Sequence, residues 1–344
     1  MAIRWIVGPC FALTCFSFGC SSESTGAPPA APVDWHGFEL PHGPQAASQG
    51  PTAQERAAAE GYITDLAAPG FGALTSRLES YAHFVFPGIP DTRGRENILK
   101  SHETLFGSFD HRVVTVSRVF RTDSEQTIEW TLTGTQTKDF MGVPATNKPV
   151  VIKGVALVFT KDEGVVQDIV QMFDVAVVKA QLGAGPKELA GNPLPAVPSG
   201  PAQSFEQTHS AEETQNLAVA RAPIDALENS NEAAYLAPFT DDAQVDTPER
   251  ATPLRGKDDL KAYFKATRRG IGQLDTTVDN IWPVAQYVVV EYSIAGEQLG
   301  PIAWIPAQHD RVVQMRVVDI SEIRDGKVAH VWRYENPSQI LTPQ

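Results

Sequence analysis

The feature that most constrains this chain is an internal repeat, because its two halves match each other at a single shift of 162 residues. A run of matches at one shift, including both turn glycines, is best explained by duplication. The sequence therefore predicts two tandem domains of about 130 residues each, a normal domain size. The matched pairs are Arg93-Gly94 with Arg255-Gly256, Glu129-Trp130 with Glu291-Tyr292, Gly134 with Gly296, Gln136 with Gln298, Gly164 with Gly326 and Asp174 with Asn336.

Each half begins with helical signals and continues with strand signals. A capping box opens each half, Thr52 with Glu55 and Ser210 with Glu213. The pattern indicates an α+β fold with domains at 52–183 and 207–344 and a Pro/Gly-rich linker at 184–206 that lacks a core. The expected segments are helices at 94–106 and 258–267, strands at 127–135, 149–160 and 165–173, and further strands between 276 and 332.

One stretch of the first half carries a family signature. It contains GTQTKDFMGVPATNKPV, then an acidic-Gly turn at Gly164, and it ends with Asp174 followed by Gln181-Leu182-Gly183. In order and spacing these words resemble the SnoaL-like polyketide cyclases of the nuclear-transport-factor-2-like superfamily, to which ketosteroid isomerases are related. The resemblance implies two tandem cone-shaped domains, each a curved antiparallel sheet wrapped on N-terminal helices, with a small apolar ligand in the open end of the cone.

Asp174 is the catalytic residue that this resemblance implies, as the acid or base that moves a proton at the carbon next to a carbonyl. Burial in an apolar cavity would raise the pKa of such a carboxyl toward the operating pH. An Asp between a strand and VAVVKAQL is equally typical of a helix N-cap. The second half carries Asn336 at the matching position, and an amide does not exchange protons as a carboxylate does. If either domain is catalytic, we expect it to be the first.

The predicted ligand contacts come from both halves. Trp130 and Phe140 are candidates for a cavity wall, although aromatic side chains on the inner face of a sheet are more often core. Gln136 stands where family cyclases often have His. In the second half we expect no FMGVPAT loop, and we expect His330 and Trp332 to point together into the second cone because they share strand parity. The whole set is Trp130, Gln136, Phe140, Tyr292, His330, Trp332 and Asn336.

The first 51 residues have the composition of an export signal and a tether. Residues 1–19 combine an early Arg4 with a short apolar run, which is typical of a signal peptide. Cys20, followed by SSESTGAPPAAP, resembles a bacterial lipoprotein processing site, so we expect lipid attachment there and a flexible tether at 20–51. A signal that is simply cleaved is the alternative. All three cysteines lie in this leader, which excludes disulfides and thiolate metal sites from the rest of the chain.

Composition limits the other partners. The chain has 28 basic and 41 acidic residues and a formal net charge of −13, which argues against nucleic acid and against electrostatic attraction to anionic lipid. Its eight histidines show no metal-binding spacing, and no Gly-rich phosphate loop is present. We therefore expect neither a metal nor a cofactor.

Two functions fit these patterns. The first is an exported lipoprotein of the cell envelope, lipid-anchored, whose cones bind a small hydrophobic ligand or a protein partner and pack against each other as an intrachain pseudo-dimer. The alternative is a cofactor-free cyclase or isomerase that uses Asp174. The replacement of Asp by Asn in the second half and the presence of Gln136 favour the binding protein.

Overall fold

The computed structural model describes residues 50–161 and 164–341. The predicted signal peptide, Cys20 and most of the predicted tether lie outside these residues. The helices are α1 (Ala53–Thr64), α2 (Arg95–Phe106), α3 (Val175–Leu182), α4 (Ala211–Glu228), α5 (Glu232–Leu236) and α6 (Gly256–Gly270). The strands are β1 (Leu78–Val85), β2 (Thr92–Arg93), β3 (Phe109–Arg121), β4 (Glu125–Gln136), β5 (Pro149–Lys161), β6 (Val165–Met172), β7 (Gln203–Glu206), β8 (Phe239–Asp246), β9 (Leu254–Arg255), β10 (Ile271–Val284), β11 (Tyr287–Gln298), β12 (Val312–Arg324) and β13 (Lys327–Glu335).

Two sheets form the framework, one for each half of the chain. Within the described residues, the sheet of the first half, called copy one, has the order β2-β1-β6-β5-β4-β3-β7. The sheet of the second half, copy two, has the order β10-β11-β12-β13-β8-β9. The long strands pair antiparallel, while β1 with β6 and β8 with β13 pair parallel. Helices precede and pack on each sheet, so the fold is α+β with two tandem cones.

The repeat extends to irregular details of the backbone. The register of β3 shifts around His111 and that of β10 shifts around Gln273, and both residues have a positive φ, 53° and 48°. Turn residues Gly164 and Gly326 have φ values of 71° and 68°, which glycine adopts without strain. Bulges and left-handed turns at matching positions show that the copies share one backbone design.

The predicted helix starts and strands are confirmed. Thr52 Oγ1 accepts a hydrogen bond from the backbone N–H of Glu55 at 3.2 Å, and Ser210 Oγ accepts one from Glu213 at 3.1 Å. The glutamate side chain of each box returns a bond to the cap backbone, so both boxes are complete. Helices α2 and α6 and strands β4 to β6 occupy the predicted segments to within a few residues.

The prediction that 184–206 lacks a core is wrong. Leu189 is buried, and residues 203–206 form β7, which pairs parallel with β3. The ring of Phe205 stacks on that of Phe120 with centroids 5.3 Å apart. Arg121 of β3 also bonds to Ser204 and Glu206, so apolar and polar contacts together attach this segment, and composition alone does not show them.

The outer faces of the two sheets contact each other. Glu129 of copy one is buried there, accepts a hydrogen bond from the Tyr334 hydroxyl of copy two, and forms an ion pair with Arg118. The Arg118 guanidinium also lies 3.6 Å from the ring centroid of Trp332. Because the inner face of each sheet packs on its own helices, the middle strands are buried on both faces.

Candidate functional site

The interior of copy one is filled by aromatic side chains. Trp130 is fully buried and lies edge-on to Phe106 and Phe173, at centroid distances of 6.0 and 6.1 Å. Phe140 is also fully buried and packs on Phe109 at 5.0 Å. Both predicted ligand contacts therefore belong to the hydrophobic core, as the alternative interpretation of inner-face aromatics has it.

Gln136 organises the loop that follows its strand. Its amide nitrogen donates to the carbonyl of Val143 at 2.8 Å, and its oxygen accepts from the backbone N–H of Thr146 at 2.9 Å. In copy two, Gln298 donates to the carbonyls of Gly300 and Pro306, both at 2.9 Å. The bridge between Phe140 and Val143 has its counterpart between Ile302 and Ile305. The expectation that copy two lacks this loop is therefore wrong, because the glutamine rather than the FMGVPAT sequence fixes its backbone.

A buried polar group in copy one escaped the sequence analysis. The Tyr62 hydroxyl lies 2.7 Å from His102 Nε2, and His102 Nδ1 lies 2.8 Å from the carbonyl of Ile98. Nδ1 must donate to that carbonyl, so Nε2 accepts from Tyr62. Burial lowers the pKa of His102 to about 4, and the ring is neutral at pH 7. His102 stands on the apolar face of α2, which was the only signal for it in the sequence.

Asp174 is the N-cap of α3 and a buried carboxyl at the same time. Its Oδ1 accepts hydrogen bonds from the backbone N–H groups of Ala176 and Val177, at 2.7 and 3.2 Å. Its Oδ2 is buried and has no hydrogen-bond partner among the described residues. Burial, and next the charge of Glu249 from copy two, raise the pKa of Asp174 to about 7. Asp174 is therefore a helix N-cap whose carboxyl is buried with a raised pKa, and its catalytic role stays a prediction.

Three predicted contacts of copy two lie at the boundary between the copies. Trp332 stacks on His330 at 3.8 Å and faces Arg118 of copy one, so the expectation that His330 and Trp332 point into the second cone is wrong. His330 Nε2 lies 2.5 Å from Asp246 Oδ2. Asn336 donates to the carbonyl of Pro87 in copy one at 2.7 Å. Strand parity grouped His330 and Trp332 correctly but did not fix which face they take.

The open end of copy two encloses a cavity of about 620 Å³. Copy two carries smaller or polar side chains at three lining positions where copy one carries phenylalanine, and it carries Trp304 where copy one has Gly142. Ile271 and Ile302 line the cavity at the positions of the Phe109–Phe140 pair, and Glu335 lines it at the position of Phe173. The rest of the apolar wall includes Ile294, Trp304 and Met315.

A buried ion-pair network contacts this cavity through Tyr263. Arg333 donates two hydrogen bonds to Asp319, at 2.9 and 2.8 Å, and a third to the hydroxyl of Tyr263 at 2.6 Å. Tyr292 donates to Asp319 at 3.2 Å, so this predicted contact serves the network rather than the cavity wall. Tyr263 lines the cavity itself. Arg333 was not among the predicted site residues. Its odd position on β13, between even-numbered residues such as Trp332, places its side chain on the opposite face of the sheet from His330 and Trp332.

Two carboxyl groups border the cavity beside this network. Burial, and next the charge of Glu249, raise the pKa of Glu335 well above its usual value. Burial likewise raises the pKa of Glu249, whose Oε2 is enclosed without a hydrogen-bond partner among the described residues. The indole N–H of Trp304 is also buried without a partner there. Apolar walls with a few unsatisfied polar atoms are the usual makeup of a small-molecule site.

A second cavity of about 350 Å³, called here the junction cavity, lies where the copies meet. Asp174, Val177 and Lys153 of copy one line it, together with Arg250 and Trp332 of copy two.

In residues 50–161 and 164–341, no group of three or more His, Cys, Asp or Glu side chains is arranged to hold a metal ion. None of the helices in these ranges has the length and hydrophobicity of a membrane span.

Comparison with known proteins gives the family. Residues 78–182 match the SnoaL-like polyketide cyclase family and residues 220–331 match the SnoaL-like domain family. No curated protein matches the chain. A putative SnoaL-like polyketide cyclase from a Jannaschia species is 20% identical, with a TM-score of 0.36 over 42% of this chain and 100% of that one. A protein with a ketosteroid isomerase-like fold from Catenulispora acidiphila, solved in complex with trimethylamine, is 15% identical, with a TM-score of 0.32 over 36% of this chain and 88% of that one. The chain thus contains two SnoaL-like domains in tandem.

Proposed function

We propose that copy two binds a small, mostly apolar molecule in its open end and that this binding is the function of the chain. The observation that carries the proposal is the 620 Å³ cavity, which is open in copy two and filled by phenylalanine at the matching positions of copy one. Copy two keeps the sheet and helices of copy one, but isoleucine replaces phenylalanine at positions 271 and 302, which leaves space for a ligand. The apolar wall would supply affinity, at about 25 cal/mol for each Å² removed from water.

The polar end of the cavity indicates one oxygen-bearing group on the ligand. Arg333 donates to the Tyr263 hydroxyl, so the proton of that hydroxyl is free to point at a carbonyl or hydroxyl oxygen of the ligand. A protonated Glu335 is a second possible donor, since burial raises its pKa. The unpartnered Trp304 N–H is a third. A ligand with an apolar body and one oxygen at its end matches this set.

Filling the cavity as copy one does should abolish binding. In the Ile271→Phe/Ile302→Phe variant, two rings occupy the space that Phe109 and Phe140 occupy in copy one, so we expect the affinity for N-phenyl-1-naphthylamine to fall at least tenfold. Fluorescence titration measures the affinity, and urea unfolding shows whether the variant folds. The exposed Val113→Phe serves as a control for added aromatic surface. Unchanged affinity in a folded double variant would refute this site.

Export and lipid attachment are the second part of the proposal. We propose that residues 1–19 direct export, that lipid attached at Cys20 anchors the chain in the cell envelope, and that the outward-facing cones meet a hydrophobic ligand or a protein partner there. The support is the sequence pattern of the leader. Metabolic labelling with a radiolabelled fatty acid should label the wild type and not Cys20→Ala, because the other two cysteines lie in the segment removed by processing. Equal labelling of both proteins would contradict the anchor.

We also propose that the two copies act as an intrachain pseudo-dimer. Its support is the buried contact of Glu129 and Arg118 with Tyr334 and Trp332. If this is correct, a copy expressed alone exposes that face and should self-associate. Sedimentation of residues 207–344 as a strict monomer would contradict it.

A cyclase or isomerase reaction is the second candidate function. The observation that favours it is Asp174, because a carboxyl with a pKa of about 7 and one unpartnered oxygen suits general acid–base catalysis at neutral pH. We expect Asp174→Asn to lower carbon-proton exchange of cyclic ketones, followed by NMR, by about 10²- to 10⁴-fold. Asn also caps helices well, so the fold should be retained. Exchange by the wild type no faster than in buffer would remove this candidate.

A further inference from the structure

The junction cavity has the features of a built site that is distinct from the open end of copy two. Its walls come from α3 and β5 of copy one, from residues 192–196 between the copies, and from β13, the end of β8 and the loop after it in copy two. Its volume of about 350 Å³ falls in the range that holds small molecules. Val177 and Leu194 give it apolar surface, while its charged groups lie at different depths.

The enclosed end of the junction cavity carries one unsatisfied acceptor. Asp174 is 2% exposed, and both of its backbone hydrogen bonds go to Oδ1. Oδ2 is left without a partner among the described residues, and buried polar atoms are normally satisfied. A hydroxyl group suits this atom in either protonation state, because it donates to a carboxylate and accepts from a carboxylic acid.

The outer end of the junction cavity carries positive charge. Lys153 and Arg250 line it, both are exposed, and neither forms a salt bridge with any residue that the structure describes. The remaining acidic group on the wall, Asp246, already has a hydrogen-bond partner in His330 Nε2 at 2.5 Å. A ligand carboxylate would meet two cations, Lys153 and Arg250, at this end.

We infer that the junction cavity binds a small hydroxy acid, with its hydroxyl group at Asp174 and its carboxylate at Lys153 and Arg250. Both copies contribute to this site, so it exists only in the tandem chain. It shares Arg250 with the wall of the cavity of copy two but differs from it in chemistry, because Asp174 and Lys153 line the junction cavity alone. The inference therefore does not rest on ligand binding there, and either can fail without the other.

Two matched probes test the inference on the full chain. We expect 4-hydroxyphenylacetate to bind, as followed by ligand-observed NMR, and phenylacetate, which lacks only the hydroxyl, to bind at least fivefold more weakly. Lys153→Met, which removes the cation that lines the junction cavity alone, should weaken the binding of 4-hydroxyphenylacetate, and Lys153→Met/Arg250→Met should weaken it at least tenfold. These side chains are exposed, so the double variant should fold. Lys100→Met, an exposed lysine on α2, should have no effect.

Four results would overturn the inference. The first is no binding of 4-hydroxyphenylacetate to the wild type at millimolar concentration. The second is equal affinity for the two probes, and the third is unchanged affinity in Lys153→Met/Arg250→Met. The fourth is loss of binding in Ile271→Phe/Ile302→Phe, which would place the probe in the cavity of copy two instead. Binding of 4-hydroxyphenylacetate that is retained in Ile271→Phe/Ile302→Phe and lost in Lys153→Met/Arg250→Met supports the junction site.

Discussion

Replacing Arg333 by Gln should lower the free energy of unfolding by about 3–5 kcal/mol, the usual cost of leaving a buried charge without its partner. Arg333 forms two hydrogen bonds to Asp319 and a third to Tyr263, and Asp319 is 5% exposed. Without the guanidinium, the Asp319 carboxylate remains enclosed with a single hydrogen bond from Tyr292. Urea unfolding of the wild type and the variant at pH 7 measures the difference.

Copy one supplies the matched control for this prediction. Ala156 and Gln171 are register partners in copy one, as Asp319 and Arg333 are in copy two, so the same site exists there without charge. Asp319→Ala/Arg333→Gln copies the pair of copy one into copy two, and we expect it to recover most of the lost stability. A loss below about 1 kcal/mol in the single variant would mean that water reaches the pair and screens it.

The repeat, the capping boxes and the main strands could be predicted because their causes are local. A Thr or Ser three residues before a Glu satisfies exposed N–H groups at a helix start wherever the helix packs. Runs of β-branched residues likewise favour strands in almost any context. Matching bulges at His111 and Gln273 were not predicted, since a bulge depends on the partner strand as well as on its own residues.

The direction of side chains on the middle strands could not be predicted. Alternation assigns His330 and Trp332 to one face but does not say whether that face is inside or outside. The usual guide is that the polar face meets water, and it fails here because the other copy buries the outer face. Arg333 and Glu335 therefore occupy the inside, while Trp332 contacts Arg118 across the copies.

The cavity of copy two was present in the sequence as a difference between the copies. At the shift of 162 residues, Phe109 and Phe140 become Ile271 and Ile302, while Gly142 becomes Trp304, so the shape of the interior differs between the copies. The expectation that copy one is the catalytic domain, if either is, depended instead on Asp174. A change in side-chain volume at matched core positions was the stronger sign of an open site.

The stability of the fold should depend on pH through Asp174 in a direction that a surface carboxyl does not show. Its pKa is about 7 in the folded chain against an ordinary value of 3.8, so the folded state holds the proton more tightly than the unfolded state. The resulting stability is complete below about pH 4 and is lost as the pH rises toward 7. The gap between the two pKa values corresponds to at most about 4 kcal/mol.

The effect of His102 on the pH dependence of stability has the opposite sign. The contribution of Asp174 is therefore obtained by subtracting the unfolding free energy of the wild type from that of Asp174→Asn at each pH. Burial lowers the pKa of His102 from 6.5 to about 4, and stability is lost as the pH falls through this range. Comparing the wild type with Asp174→Asn cancels His102, because both proteins contain it. Asn keeps the helix cap and has no proton to lose.

We therefore expect the unfolding free energy of Asp174→Asn, measured with urea at pH 4, 5, 6, 7 and 8, to rise relative to the wild type by up to about 4 kcal/mol as the pH increases. Most of the change should fall between pH 4 and 7. Asp242→Asn, which removes an exposed carboxyl on strand β8 and not in the first turn of a helix, should follow the wild type at every pH. Curves for Asp174→Asn and the wild type that run parallel would mean that the Asp174 carboxyl ionises at its ordinary pKa. Water would then reach Oδ2, and both the acid–base chemistry and the hydroxyl contact proposed for this atom would lose their physical basis.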